Sequence, residues 1–595
     1  MRYGDFGGIM GRMSLRWLGN TNAAEGCNIG NLALTVPLLE RAGVAEIIDR
    51  HLQPDGRKTV SPGKVLALLI AARLHRPTPI SRIGEWAVET GADIMFNIDA
   101  DVLNDDRIGR DLEALFEHRH SILGSIAVRV AREFGISLNE LHYDPTHITF
   151  YGEYKSSEPR PDVLAGGALA GGGMTDGPAA AHVTTGRRID GVRKISKIVH
   201  AGLCFAADEH GGVPIFAHVQ SGNENGMTGI ADHHVLLGEQ IPINGTVMIS
   251  DAGTYSIQHV KRSLADGMDI ICAIPKTQAR ALYEKHVFSL DWSEASYRSI
   301  EQQRRRDCCS SLPLEHYELA EIQHELYDRE SKSRIPCRLI FVFSTAGKKA
   351  AEEARQKNVQ RVRKNLEALR ESVAKGCRNT DEQSIQRRAV TALGGGQASK
   401  YFSWQIIPLS KNEFAALPTP KPGKRRPTHR FEYAYDATVA DRDAKCDGIS
   451  AILTTLPRES SDADETFTKY KRQAHSELAN HQLKTPIAIS PIFLHKPKRV
   501  EALVFILAIG LMIYYLVQHE YRRNLPPTAS TKQRRTTTET LFRAFGVYLL
   551  IVYPSRLGQI ITPSRLRSKQ RKILQDLNLP PPAIILSRYL PKHTT

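Results

Sequence analysis

An uninterrupted apolar run, ALVFILAIGLMIYYLV at residues 502–517, is the feature that most restricts how this chain can fold. These 16 residues carry no charge, so they must leave water, either in a bilayer or in a protein core. Spanning a bilayer takes about 20 such residues, and Glu501 directly precedes the run. We therefore expect a buried core helix, with a membrane anchor as the alternative.

Length and charge restrict the class of protein. A chain of 595 residues is too long for one hydrophobic core, which predicts three or more domains or a domain with large insertions. The formal net charge of +15 favours a polyanionic partner, either nucleic acid or an acidic membrane surface. The eight cysteines include no CxxC pair, which argues against a zinc ribbon or a disulfide scaffold and suits a reducing cytosol.

Residues 30–136 are predicted to be helical, because Ser61 and Thr78, each followed by proline, provide caps for two helices. Four basic residues lie near one turn of this region: Arg73, His75, Arg76 and Arg82. Two interpretations stay open. The region is either a helix-turn-helix-like DNA reader or a helical packing domain with solvated basic side chains.

The pattern changes to strands near residue 140. The segment ELHYDPTHITF alternates, IVHAGLCFAAD and GVPIFAHVQS form a hairpin pattern, and VMISDAG and MDIICAIP are typical of buried strands. Three adjacent strands followed by helix–strand alternation predict an α/β arrangement with a mixed sheet.

The region from about 280 to 445 is polar and irregular apart from one clear helix. Five apolar residues of that helix follow a 3-4-3-4 spacing: Val359, Val362, Leu366, Leu369 and Val373. The seam is too short for a free coiled coil, so we expect it to pack on its own domain or on a partner subunit. The tail beyond about 520 is basic, and its prolines make parts of it linker-like.

Two aspartates occupy strand patterns. Asp144 lies in mid-strand, and Asp251 closes VMISDAG. A buried carboxylate costs free energy unless it is paired or binds a metal, although either aspartate alone could be a turn or cap residue. His142 and His147 flank Asp144, and we expect alternation to put both on the face opposite Asp144.

A third carboxylate, Glu477, lies in the polar segment TKYKRQAHSELANHQLK. At about 100° per residue in an unbroken helix, Tyr470, residue 473, Glu477 and Lys484 fall on a stripe about 60° wide. This segment resembles the signature YxxRxxxExxxxxxK of the bacterial insertion-sequence DDE transposases. Asp144 in YDPT and Asp251 in ISDAG resemble the two aspartates of that family, in the subgroup with a long N-terminal helical domain.

The resemblance, which extends from about residue 30 to 555, implies an α/β fold. Its parts are a ribonuclease-H-like catalytic core with a mixed sheet, a large insertion domain that interrupts the core, and an N-terminal helical domain. The implied boundaries are an N-terminal extension at 1–29, a helical, DNA-binding domain at 30–136, the first part of the core at 137–280, the insertion domain at 281–445, the second part of the core with the catalytic helix at 446–525, and a basic C-terminal region at 526–595.

The resemblance also implies an activity, in which the enzyme cuts transposon ends and joins them to target DNA by phosphodiester hydrolysis and transesterification. Asp144, Asp251 and Glu477 are then the catalytic residues and the ligands of two Mg²⁺ ions, with Mn²⁺ as a substitute. The implied partners are double-stranded DNA (terminal inverted repeats and target DNA) and a second copy of the chain on paired ends, without a membrane. The implied location is the bacterial cytoplasm, in association with the nucleoid.

Three residues of the signature segment are expected to contact DNA: Tyr470, Gln473 and Lys484. Gln473 stands where the signature has arginine. This departure motivates an alternative function, a catalytically impaired DNA-binding relic of a transposase. On the relic hypothesis, restoring arginine at position 473 rescues activity.

Overall fold

The computed structural model describes residues 13–14, 25–53, 60–150, 180–187, 195–223, 229–298, 315–376, 381–418, 425–474, 494, 496–555 and 558–587. The chain divides into two units. The first unit comprises residues 1–272 and 469–595, and the second comprises residues 273–468.

In the described chain, a run of helices is followed by a run of strands and then by a mixture of the two. The helices of the first unit are α1 (Leu32–Arg41), α2 (Val44–Leu52), α3 (Pro62–His75), α4 (Ile83–Thr90), α5 (Ala92–Phe96), α6 (Asp105–Phe134), α7 (Gly229–Gln240), α8 (Ile257–Ala265), α15 (Pro497–Arg523), α16 (Thr531–Arg534), α17 (Thr538–Ala544), α18 (Ser568–Asp576) and α19 (Pro582–Ser587). Its strands are β1 (Met13–Ser14), β2 (Glu25–Asn28), β3 (Glu140–Phe150), β4 (Thr184–Arg187), β5 (Ile195–Asp208), β6 (Gly211–Ser221), β7 (Val247–Ser250), β8 (Asp269–Ala273), β15 (Leu549–Ser555) and β16 (Gly558–Pro563).

Of the two predicted caps, Ser61 is confirmed and Thr78 is wrong, because α4 begins only at Ile83 and the Thr78 hydroxyl donates to the carbonyl of Arg76 at 3.2 Å. Ser61 accepts a hydrogen bond from the Lys64 N–H at the start of α3, where Pro62 is the first residue. Gly135 ends α6 with a φ of 60°, in the left-handed region that glycine adopts most readily.

The four basic residues near the turn after α3 are engaged within the helical layer. Arg73 is buried, and His75 Nδ1 accepts a hydrogen bond from the indole N–H of Trp86 at 3.3 Å. Arg76 forms an ion pair with Glu89, and Arg82 forms one with Glu85. Arg76 and Arg82 stay largely exposed in these pairs, so the structure is compatible with both interpretations of this turn.

The apolar run forms the centre of α15, which packs against α3, α6 and β6 in the first unit. Within the described parts of the chain, α15 alone is long and apolar enough to cross a membrane, and the apolar stretch is entirely buried inside the protein. This burial confirms the prediction of a core helix. At its start, Glu501 forms a buried ion pair with Arg119 at 2.5 Å and accepts the backbone N–H of Ala181 at 2.6 Å.

The C-terminal region folds back on the N-terminal segment. Strand β15 pairs antiparallel with β2, with Leu550 opposite Cys27, and with β16 on its other side. The backbone N–H of Ile29 donates to the carbonyl of Tyr548 at 2.9 Å. The prediction that parts of the tail are linker-like does not hold for β15 and β16, because the apolar residues of β15 form a sheet with the N-terminal segment.

A mixed sheet forms the centre of the first unit. Strand β3 pairs antiparallel with β5 and parallel with β7, and β7 in turn pairs parallel with β8. Strands β4 and β6 both pair antiparallel with β5. The order β6-β5-β3-β7-β8 confirms the predicted α/β arrangement with a mixed sheet.

The second unit has its own antiparallel strands and its own core. Its helices are α9 (Lys276–His286), α10 (Thr345–Ala374), α11 (Glu382–Leu393), α12 (Lys411–Ala416), α13 (Ala437–Ala444) and most of α14 (Ala463–Lys471). Its strands are β9 (Ser293–Glu294), β10 (Tyr317–Tyr327), β11 (Arg334–Ser344), β12 (Phe402–Pro408), β13 (His429–Tyr435) and β14 (Ile449–Thr454).

The apolar seam of α10 packs inside the second unit. Val362, Leu366, Leu369 and Val373 are buried against Ile385, Ala389 and Phe431 among others. The seam therefore serves its own unit, which was one of the two predicted alternatives. The second unit, residues 273–468, is longer at both ends than the predicted insertion domain at 281–445.

Candidate active site

Asp144, in the middle of β3, and Asp251, directly after the end of β7, come together on two neighbouring parallel strands. The last registered pair of β3 and β7 is Tyr143 with Ser250. Asp144 and Asp251 are the next residue on each chain, so they lie side by side at a strand separation of about 4.8 Å. Strand β3 has an antiparallel neighbour, β5, on one side and a parallel neighbour, β7, on the other.

The carboxylate of Asp251 is held by the turn that follows β7. Its Oδ1 accepts the backbone N–H of Gly253 at 3.0 Å, and a Cβ at residue 253 would lie 3.2 Å from that oxygen. Burial raises the pKa of Asp251, and the N–H groups of Gly253 and Thr254 only partly oppose the rise. A partly buried carboxylate whose hydrogen bonds leave its pKa raised fits a role as a cation ligand.

The signature segment begins at the end of α14. This helix ends at Lys471. The next two residues make hydrogen bonds that span three residues instead of the four of an α-helix: the Arg472 N–H donates to the Lys469 carbonyl, and the Gln473 N–H donates to the Tyr470 carbonyl. Gln473 therefore lies in a turn. The prediction that Gln473 shares one face of an unbroken helix with Tyr470 is wrong. Tyr470 is half-buried.

Gln473 is 6 % exposed, and both ends of its amide contact strand β3. The amide nitrogen donates to the carbonyl of Tyr143 at 3.0 Å, and the amide oxygen lies 2.9 Å from His142 Nδ1. The predicted contact of Gln473 with DNA stays a prediction, and in this structure the amide is used within the protein.

Two further residues join this contact. Glu140 Oε1 lies 3.0 Å from His142 Nε2, and its Oε2 forms an ion pair with Arg472 at 2.6 Å. The contact between Glu140 and His142 shows that these residues share a face of β3, and alternation along an unbroken ladder puts Asp144 on that face too. The expectation that His142 lies opposite Asp144 is therefore wrong, since residues two apart in a strand point the same way, whereas His147 does point the other way.

Sequence reasoning missed Glu140 and Arg472 as parts of this site. The available signal was the spacing of Glu140, His142 and Asp144, three polar residues at every second position of a strand pattern. The partner of Glu140 is 332 positions away, and no local pattern predicts such a pairing.

Glu477 and Lys484 lie outside the described residues. Among the residues that the structure describes, no group of three His, Cys, Asp or Glu side chains could hold a metal ion. The described part of the site therefore supplies two of the three predicted carboxylates. It places residues 472–473 on the Asp144 face of the sheet, four residues before Glu477 in the sequence.

Two family models match the chain. A domain of unknown function (DUF4277) matches residues 25–128, which include the N-terminal helices. The transposase DDE domain matches residues 196–513. That match includes Asp251 and the signature segment, and it begins after β3 and Asp144.

The chain was also compared with curated proteins and with solved structures. No curated protein matches it. Among solved structures, the piggyBac transposase synaptic complex with hairpin DNA, determined by cryo-electron microscopy, is 10 % identical, with 98 % of this chain and 88 % of that chain covered. Its TM-score of 0.31 is too low to establish a shared fold. The transposase DDE domain match spans more than half of the 595 residues, and the chain belongs to the transposase DDE domain family.

Proposed function

We propose that this chain is a DNA transposase that cuts the ends of its own element and joins them to target DNA. The observation that supports this most strongly is the position of Asp144 and Asp251 as the next residues on adjacent parallel strands. The segment leading to Glu477 packs on the same face of the sheet through Gln473 and His142. Two adjacent carboxylates, with Glu477 proposed as the third, would provide the ligands that metal-dependent phosphodiester chemistry requires.

The fold that we propose for the catalytic part is a ribonuclease-H-like core. The support is the order β6-β5-β3-β7-β8, in which β3 carries Asp144 and β7 ends directly before Asp251. We further propose that the second unit is the insertion domain, because residues 273–468 lie between the two sequence segments of the first unit. The helical residues 30–136 and the basic region at 526–595 are proposed to contribute to DNA binding.

The residues that would hold the metal ions are Asp144, Asp251 and Glu477. Bound Mg²⁺, or Mn²⁺ in its place, supplies activation of the attacking oxygen and stabilisation of the leaving oxygen. The raised pKa of Asp251 agrees with this role, since its carboxylate is partly buried and hydrogen bonds do not offset the cost of burial. Tyr470 and Lys484 would contact the DNA backbone and hold the scissile strand in place.

The proposed partners are terminal inverted repeats, target DNA and a second copy of the chain on paired ends. The net charge of +15 supports a polyanionic partner. Core packing of α15 leaves its apolar run unavailable to a membrane. We propose a bacterial cytoplasmic protein associated with the nucleoid.

Cleavage of a terminal-repeat duplex tests this function. Purified protein is incubated with labelled DNA from the flanks of its gene, with Mg²⁺, with Mn²⁺ or with a chelator, and binding is measured in parallel. We expect nicks at the element end only with a divalent ion. Protein that binds the repeats and never cuts them under either ion would favour the catalytically impaired relic.

A further inference from the structure

Gln473 makes two specific contacts at a buried position. Because the carbonyl of Tyr143 can only accept, the amide nitrogen of Gln473 donates to it, at 3.0 Å. The amide oxygen then accepts from His142 Nδ1 at 2.9 Å. The amide of glutamine donates and accepts at the same time without a charge.

These contacts attach the signature segment to the strand residues directly before Asp144. His142 and Tyr143 are consecutive on β3, and the His142 side chain lies on the Asp144 face. Gln473 therefore fixes the position along β3, and the face of the sheet, at which the chain approaches the proposed site.

A second attachment lies beside the first. Arg472 forms an ion pair with Glu140 at 2.6 Å, and Glu140 also contacts His142 Nε2 at 3.0 Å. The His142 ring, 1 % exposed, thus lies between Gln473 and Glu140. Two consecutive residues of the turn are held by alternate residues of one strand, which restricts sliding and rotation of the turn.

We propose that Gln473 is a positioning residue of the transposase site and that glutamine, rather than arginine, is the functional residue at this position. The inference rests on the proposed function, because its effect on cleavage requires that the chain cleaves DNA. It also removes the reason for the relic hypothesis, which was the absence of arginine at position 473, because Gln473 has its own hydrogen-bond partners within the protein.

Arginine does not reproduce these contacts. A guanidinium has five N–H donors and no acceptor, so the His142 Nδ1–H would face another donor. A second positive charge would also lie next to Arg472 in a place where Gln473 is 6 % exposed. Burying a charge without a carboxylate partner is strongly unfavourable.

The test compares Gln473→Arg with Ala474→Arg, which adds the same side chain one residue later at an exposed position. Gln473→Glu is the second variant, because it keeps the length and an oxygen for His142 and loses the donor to Tyr143. For each full-length protein, single-turnover cleavage at saturating enzyme separates the rate from the amplitude. Affinity for the terminal-repeat duplex is measured with a chelator present, so that binding is observed without cleavage.

We expect Gln473→Arg to lower the cleavage rate about 10- to 100-fold, the range typical of small misplacements in an active site. Its DNA affinity should stay within about threefold of wild type, and Ala474→Arg should cleave like wild type. Gln473→Glu should also cleave more slowly. A purely structural role would lower the amplitude and leave the rate unchanged.

Four results would overturn the inference. One is a Gln473→Arg protein that cleaves as fast as wild type or faster, as the relic hypothesis requires. Another is a loss of rate matched by an equal loss of DNA affinity, which would indicate a phosphate contact. The third is a loss of amplitude alone, with the rate unchanged. If Gln473→Arg does not fold, a wild-type rate for Gln473→Glu is the overturning result. Wild-type protein that never cuts contradicts the proposed function itself, a distinct outcome.

Discussion

Two aspartates of this chain have pKa shifts in opposite directions, because their hydrogen-bond partners differ. Burial raises the pKa of Asp251, and two backbone N–H groups only partly compensate. Burial alone would also raise the pKa of Asp443, but hydrogen bonds from Arg280, Lys400 and Tyr401 outweigh it and hold that pKa well below its usual range. The first carboxylate is suited to a cation from outside, whereas the second is neutralised by the protein.

Asp443→Asn should destabilise the second unit at neutral pH by about 2–4 kcal/mol, because it leaves two cations without their shared carboxylate. A lowered folded-state pKa means that this stabilisation is present above the unfolded value of about 3.9 and is lost as pH falls below it. The difference between wild type and variant in urea unfolding should thus be full at pH 6 and shrink below about pH 4. Asp441→Asn, on the exposed side of the same helix, is the control; equal effects of the two variants would contradict the assignment.

The residue-level predictions from sequence were strongest where the signal was local. Asp144 and Asp251 interrupt apolar strand patterns, and the structure places them side by side. Gln473 was interpreted from its position in a signature alone. Its actual partners, His142 and Tyr143, are 331 and 330 positions away in sequence, and only the fold brings them into contact.

Among the elements, α15 depends on polar contacts as well as on apolar burial. Glu501 and Arg119 join α15 to α6 with side chains that are 3 % and 8 % exposed. The guanidinium of Arg119 also lies 4.0 Å from the ring centre of Phe116. A buried pair of this kind orients two helices, whereas apolar contacts alone permit sliding.

Glu501→Ala should lower the free energy of unfolding by about 3–5 kcal/mol, since it leaves the Arg119 charge buried without its partner. The matched control is Glu117→Ala, which removes an exposed ion pair with Lys498 between the same two helices and should cost about 0–1 kcal/mol. Chemical denaturation measures both. Replacing both partners, as Arg119→Met with Glu501→Leu, should cost less than Glu501→Ala; a double variant that is the least stable would contradict this account.

Element prediction succeeded where period and caps agree. The cap at Ser61 and the 3-4-3-4 seam of α10 lie where the sequence predicts. It failed for β15, whose pairing with β2 joins residues more than 500 positions apart. The prediction of an unbroken helix also failed at Lys471, where α14 ends. The turn that follows is held by a hydrogen bond to β3, and local sequence contains no signal for that contact.

For the molecule as a whole, charge predicts how DNA binding responds to salt. The chain carries a net charge of +15. If basic side chains neutralise six or more phosphates, affinity should fall about 10³-fold or more between 50 and 200 mM salt. Fluorescence anisotropy with a terminal-repeat duplex measures this. An affinity that is independent of salt would contradict binding through the phosphate backbone.

The central claim is that Asp144 and Asp251 form one catalytic site with Glu477. The most direct test is single-turnover cleavage of a terminal-repeat duplex in Mg²⁺ by Asp144→Asn, Asp251→Asn and the double variant, with Asp291→Asn as an exposed control. We predict that each single variant loses about 10³-fold or more in rate, that the double variant loses no more, and that all of them still bind DNA. Either single variant cutting at the wild-type rate would contradict the claim.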